Sequence, residues 1–202
     1  MRQRWWRSVA PWTLAYLVVG LATALQESDV GQAAFYAPVA IGIAFVLLHG
    51  RRVWPILLVL ELVIASTQYD FDVPAGTVSA VVTVGEALLG ATLLTRLGFH
   101  RAVDRPEDVV KNGLVAAAVG VFGATVGVAL LEAVGHEQAI GDHWRVWAIG
   151  EASAVAVLLP ALLLWTLDPR ERRRRLPALS PAQRTELGVT VAIALGALVA
   201  FF

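Results

Sequence analysis

The chain reads as an all-α, polytopic bundle of membrane-spanning helices. Three observations lead there: apolar residues gather in seven long stretches, basic residues fall almost entirely in alternate gaps between them, and tryptophans cluster near the stretch ends. Hydrophobic residues make up 57% of the chain and charged ones 16%, against roughly 25% charged in an average soluble domain. A water-soluble fold of this size cannot hide so much apolar surface. The formal net charge is zero, but nearly all the bases fall in alternate gaps, so the balance gives no sign of nucleic-acid binding. The absence of cysteine excludes disulfides, thiolate nucleophiles and Cys-type metal sites.

Crossing a hydrocarbon core of about 30 Å takes about 20 apolar residues, fewer where flanking side chains snorkel. Seven segments meet or approach that length: residues 9–25, 34–49, 53–68, 75–95, 109–132, 144–167 and 187–202. The first has the basic start and Ala22-x-Ala24 pattern of a signal peptide; an uncleaved first span accounts for the chain equally well and is the reading kept. In the second, Pro38 lies inside the apolar run, and Pro55 falls in the first turn of the third, where a missing N–H costs little. Before the fifth, Asp104-Arg105-Pro106-Glu107-Asp108 predicts Asp104 as N-cap, Pro106 in the first turn and acids facing the positive helix end. Pro160 is a kink site in the sixth, tolerated in membranes where neighbours satisfy the freed carbonyl.

Orientation follows from the distribution of Lys and Arg over short loops. Of the 16 basic residues, all but Arg145 flank the same side: Arg2, Arg4 and Arg7, then Arg51 and Arg52, then Arg96, Arg101, Arg105 and Lys111, then Arg170, the run Arg172, Arg173, Arg174 and Arg175, and Arg184. This predicts a multi-pass membrane protein with a cytoplasmic N-terminus. Opposite gaps carry Glu27, Asp29, Asp70, Asp72, Glu137 and Asp142. Trp5, Trp6, Trp54 and Trp165 near one boundary, with Trp144 and Trp147 near the other, form the two halves of an interfacial belt. The arginine run beside a membrane helix anchors topology and meets anionic headgroups; it is not a nucleic-acid motif. Seven crossings from a cytoplasmic start leave the end of the chain outside, so residues 1–202 are expected to be a single integral membrane domain, with an eighth helix and a further segment following beyond Phe202.

Chemistry in such a chain must come from ionisable groups inside the spans, where an acid is by default a functional-site hypothesis. Glu61, Glu86 and Glu151 are the candidates, and a helical rise of about 1.5 Å per residue places all three near mid-membrane. Ser79, Thr83, Glu86 and Gly90 repeat at i, i+4, i+7 and i+11, a polar stripe on one face. Trp144, Trp147, Ala148 and Glu151 share a face in the same way. Together they outline an outward-facing pocket suited to a cationic or amphipathic small molecule; Arg145, at the wrong spacing to pair with Glu151, is a further member that meets another helix or a ligand anion. The competing role for these acids is packing, with protonated carboxyls hydrogen-bonded across helices.

Gly120, Gly123 and Gly127 on the fifth span allow close backbone approach of another helix, within the chain or across a homodimer. His49, His100, His136 and His143 sit at segment boundaries without a spacing such as His-x-x-x-His, so no metal is expected. No nucleophile triad or P-loop is present, and neither catalysis nor a cofactor is expected of this chain.

Three stretches resemble the first family of bacterial membrane-associated sensor (MASE) domains. Tyr36 and Pro38 lead an apolar helix into Gly50-Arg51-Arg52-Val53-Trp54-Pro55, similar to that family's Gly-Arg-x-x-x-Pro junction. Gly85-Glu86-Ala87-Leu88, running on to Arg96, is similar to the family's Leu-Glu-Ala helix ending in basic residues, and Trp144-x-x-Trp147-x-x-Gly150-Glu151 followed by Leu158-Leu159-Pro160 to its Trp, Gly-acid and Pro-Leu-Leu pattern. Ala40 stands where the family commonly shows Gly and Glu151 where Asp is usual, while Glu61 matches no family position. The resemblance implies a bundle of about eight helices feeding a covalently linked cytoplasmic histidine kinase, diguanylate cyclase or phosphatase. The partners then expected are the bilayer, a second copy of the chain, and a small-molecule cue or membrane protein. A transporter using Glu86 and Glu151, or a dimerising anchor, are the alternatives.

Overall fold

The computed structural model describes residues 2–24, 35–68, 72–136 and 140–167, and every regular element among them is helical. Six α-helices follow in order: α1 (Arg2–Ala24), α2 (Ala37–His49), α3 (Trp54–Gln68), α4 (Val73–Arg96), α5 (Pro106–Ala133) and α6 (Ile140–Thr166), with one 3₁₀ turn, Arg51–Val53, leading into α3. They fall on the first six predicted segments. The seventh, residues 187–202, and Arg172, Arg173, Arg174 and Arg175 lie outside the described residues.

Not all six have the proportions of a membrane span. By length and composition α4, α5 and α6 are long and apolar enough to cross a membrane, whereas α2 is a shorter apolar helix. With 13 residues, α2 reaches only about 20 Å. It packs against α1, α4 and α6, and its residues from Ala37 to Leu47 are buried throughout. Its hydrophobicity therefore serves a protein interior, not lipid. The outer helices α1, α3, α4, α5 and α6 adjoin one another in that order around it. Large apolar side chains left exposed, among them Leu114, Val121 and Leu130 on α5 and Ile149, Val157 and Trp165 on α6, form the surface a bilayer covers.

Local chemistry sets the ends of the helices. Asp72 caps α4, its carboxylate accepting from the Ala75 amide at 3.2 Å. Past the far end of α4, Gly98 takes φ +62, which lets the Phe99 amide return to the Leu94 carbonyl at 3.0 Å and closes the last turn. At the start of α5 the N-cap is Arg105, with Pro106 in the first turn; Asp104 instead pairs with His100 at 2.8 Å. The expected cap thus moves one residue on because Asp104 is engaged by the preceding loop.

Packing of α5 on α6 explains both the glycines and Pro160. A Cβ on Gly120 would run into the Ala148 carbonyl and stand 3.2 Å from the Ala152 amide nitrogen, and one on Gly127 would meet the Trp147 ring. The glycine stripe is therefore occupied by α6 of the same chain. Pro160 lies inside α6 and has no N–H to give the carbonyl four residues earlier. That carbonyl, on Ala156, accepts from the Asn112 side-chain amide of α5 at 3.1 Å. A buried asparagine on α5 thereby makes the proline tolerable.

Candidate functional site

A carboxyl group in an apolar interior needs hydrogen-bond partners or a neutralising charge, since burying it bare costs several kcal/mol. Glu61, Glu86 and Glu151 are all buried to 1% exposure or less, and their surroundings differ.

Glu61 is well partnered. The Tyr16 hydroxyl on α1 donates to its Oε2 at 2.7 Å, the Tyr36 hydroxyl at the start of α2 donates to its Oε1, and the Thr83 side chain of α4 lies within hydrogen-bonding reach. Four elements meet on this one carboxyl group. Tyr36 is the N-cap residue of α2, so the short central helix begins where the cluster sits.

Glu86 and Glu151 are not partnered in this way. They come together across α5: a Cβ on Gly123 would collide with the Glu86 carboxyl and lie 2.7 Å from Glu151 Oε2. The two carboxyls are close enough to hydrogen-bond to each other. Both oxygens of Glu86 and Oε2 of Glu151 are buried without a conventional donor. Two ionised carboxylates about 4 Å apart repel by about 4 kcal/mol even at an effective dielectric of about 20. A proton or a small cation between them removes that repulsion. Gly123 provides the space, which only a residue without a side chain leaves open.

Around this pair stand the remaining predicted side chains. Ser79 and Thr83 are buried on the α4 face. Trp147 is buried one turn before Glu151, within hydrogen-bonding reach of it. Trp144 is peripheral, its indole N–H donating to Thr125 at 3.1 Å. Arg145 is not part of the site: it is exposed and pairs with Asp142 three residues earlier. The acids are closed off, so the outward-facing pocket expected from the stripes is a sealed cluster in this conformation.

Three side chains escaped the sequence reading. Tyr16 and Tyr36 lie in apolar runs whose spacing says nothing of a shared partner. His143 is buried on α6 with neither ring nitrogen hydrogen-bonded, its ring 5.8 Å from that of Trp147. The i, i+4, i+8 series His143, Trp147, Glu151 was the available signal for it. Among the described residues, His100, Asp104 and Asp108 also come together within 4.8 Å, but Lys111 stands 3.7 Å from Asp108 and supplies the local positive charge.

Comparison with known proteins agrees with the residues. The sequence model of the MASE1 family matches residues 7–202. No curated protein and no solved structure matches the chain. The match takes in α2 to α6, α1 from residue 7 onward and the whole carboxyl cluster, and the chain therefore belongs to the MASE1 family of membrane-associated sensor domains.

Proposed function

We propose that this sensory input domain passes a cue to a cytoplasmic output domain in the same polypeptide, with the Glu86–Glu151 pair as the element the cue acts on. The supporting observation is the pair itself: two sealed carboxyls in contact over Gly123, with three oxygens lacking donors. Such a pair has two states of different packing energy, with and without a neutralising charge between the carboxyls. A cue that favours one state shifts the bundle by its differential affinity for the two. Glu61 ties α3 to α1 and to the start of α2 through two tyrosines, and Thr83 of α4 stands within hydrogen-bonding reach of the same carboxyl, so a shift of α4 is felt at the central helix. With the amino terminus cytoplasmic, α2, α4 and α6 all finish on the cytoplasmic side, where a kinase, cyclase or phosphatase would be driven.

The test uses the full-length protein with its output domain. Glu86→Gln and Glu151→Gln each replace an acid by a neutral isostere, and each is expected to lock output at one level, shifting basal activity about fivefold or more, the size of a typical allosteric coupling. Membrane insertion should be unchanged. Unaltered output in both variants returns the acids to a packing role. The unpartnered oxygens also fit proton or cation coupling in a transporter; proton-driven uptake by vesicles holding this chain alone would select that reading.

A further inference from the structure

We propose that the cleft where α2 and α4 end is a binding site for a phosphate-bearing anion. The cleft, about 300 Å³ in volume, lies between Leu47 at the end of α2, Arg51 in the following turn, Thr92, Thr95 and Arg96 on the last turns of α4, and Arg101 in the loop beyond. Three arginines line it. None of them forms an ion pair with a carboxylate among the described residues.

Two of the three are held in place by bonds that leave most of their donors free. Arg51 donates one N–H to the Thr92 hydroxyl at 3.0 Å, and Arg101 donates to the Leu47 carbonyl. A guanidinium carries five N–H donors in a planar fork that matches phosphate oxygens. The loop carrying Arg101 is braced: the His100 amide bonds Asp108 at 3.0 Å and the Val103 amide bonds the His100 carbonyl at 2.9 Å. Val103 itself sits at φ +47, a conformation β-branched residues rarely adopt and keep only where their surroundings over-determine it.

Helix termini alone do not account for these charges. Each helix C-terminus carries about half a negative charge, so α2 and α4 together offset about one of the three arginines. An excess of about two positive charges remains in a concave site with hydroxyls on its wall. A phosphate group supplies one or two negative charges and the acceptors to match. It can arrive on a phospholipid headgroup or on a free phosphate compound, and the chemistry of the cleft is common to both.

The experiment places the full chain in nanodiscs. In one arm, made of phosphatidylcholine, inorganic phosphate is titrated at constant ionic strength and the unfolding temperature followed, since a ligand of the folded state raises it. In the other, phosphatidylglycerol is included and its retention on the ejected protein is read by native mass spectrometry. At least one arm is expected to respond, with Arg96→Gln/Arg101→Gln weakening it about tenfold and Arg105→Gln, outside the cleft, leaving it unchanged. Phosphate response alone assigns a free ligand, lipid retention alone a headgroup, and both together the shared phosphate. Thr95→Glu plants a carboxylate in the cleft without removing an arginine and guards against misfolding of the double variant; it too should weaken the response about tenfold. Silence in both arms, equal loss in Arg105→Gln, or full binding by Thr95→Glu overturns the proposal.

Discussion

The carboxyl cluster and the arginine cleft both leave charge without a matching partner, but at opposite electrostatic cost. Glu86 and Glu151 are sealed in the interior, where each missing donor is felt in full. Arg51, Arg96 and Arg101 are exposed, and water screens them cheaply. An unpaired exposed cation needs little to maintain it. An unpaired buried acid persists only where the surrounding packing over-determines it, and here that packing is the close approach of α5 to α6. The interior cluster should therefore respond sharply to packing changes, and the surface charges weakly.

The largest effect is expected where backbones touch. Gly120→Ala drives a methyl group into the Ala148 carbonyl and must push α5 from α6, costing about 1–3 kcal/mol or more. Gly113→Ala, on the same helix with nothing within 4 Å of the added Cβ, should be neutral or stabilising by up to about 1 kcal/mol through helix propensity. Thermal unfolding in detergent reads both. Equal effects at the two positions would mean that α5 and α6 do not meet as described, and the cluster would lose the wall that seals it.

A smaller effect separates the satisfied carboxyl from the unsatisfied pair. Tyr16→Phe and Tyr36→Phe each remove one donor from buried Glu61 and should cost about 1–3 kcal/mol apiece. In the Glu61→Leu background the same changes should cost much less, since both hydroxyls have then lost the acceptor they serve. A double-mutant cycle on unfolding free energies measures that coupling. A coupling near zero would show the tyrosines stabilising the fold through ring packing alone.

How much of this was legible depends on what each residue touches. Residues 75–95, 109–132 and 144–167 foretell α4, α5 and α6 to within a few positions, because an uninterrupted apolar run fixes a helix locally. The second predicted span is legible only as a short apolar helix: hydropathy records that α2 is apolar, not that protein covers it. Glu86 and Glu151 stand out in sequence as acids in apolar surroundings. Glu61 stood out equally, but its partners Tyr16 and Tyr36 lie 45 and 25 positions away, a proximity that only the fold supplies. The arginines of the cleft read as topology markers because their convergence depends on α2 and α4 ending side by side. The glycine stripe announced a close approach without saying which helix would take it.

Arg145 marks the lower end of the scale. Its spacing from Glu151 excludes a same-face pair, and the structure shows the alternative it takes: an i, i+3 pair with Asp142 in which both side chains are more than half exposed, at 68% and 58%. A distant partner and a local one compete for one guanidinium, and the local one wins because it costs no desolvation and closes within one helical turn. An exposed pair of this kind contributes about 0.2–1 kcal/mol at most and is weakened further by salt. Arg145→Gln should accordingly move the unfolding free energy by less than about 0.5 kcal/mol and leave the output of the full-length protein unchanged. A drop as large as that from Gly120→Ala would mean that Arg145 reaches the buried acids in the working protein, and the cluster would then be a charge-paired site rather than one that needs a proton or cation between its carboxyls.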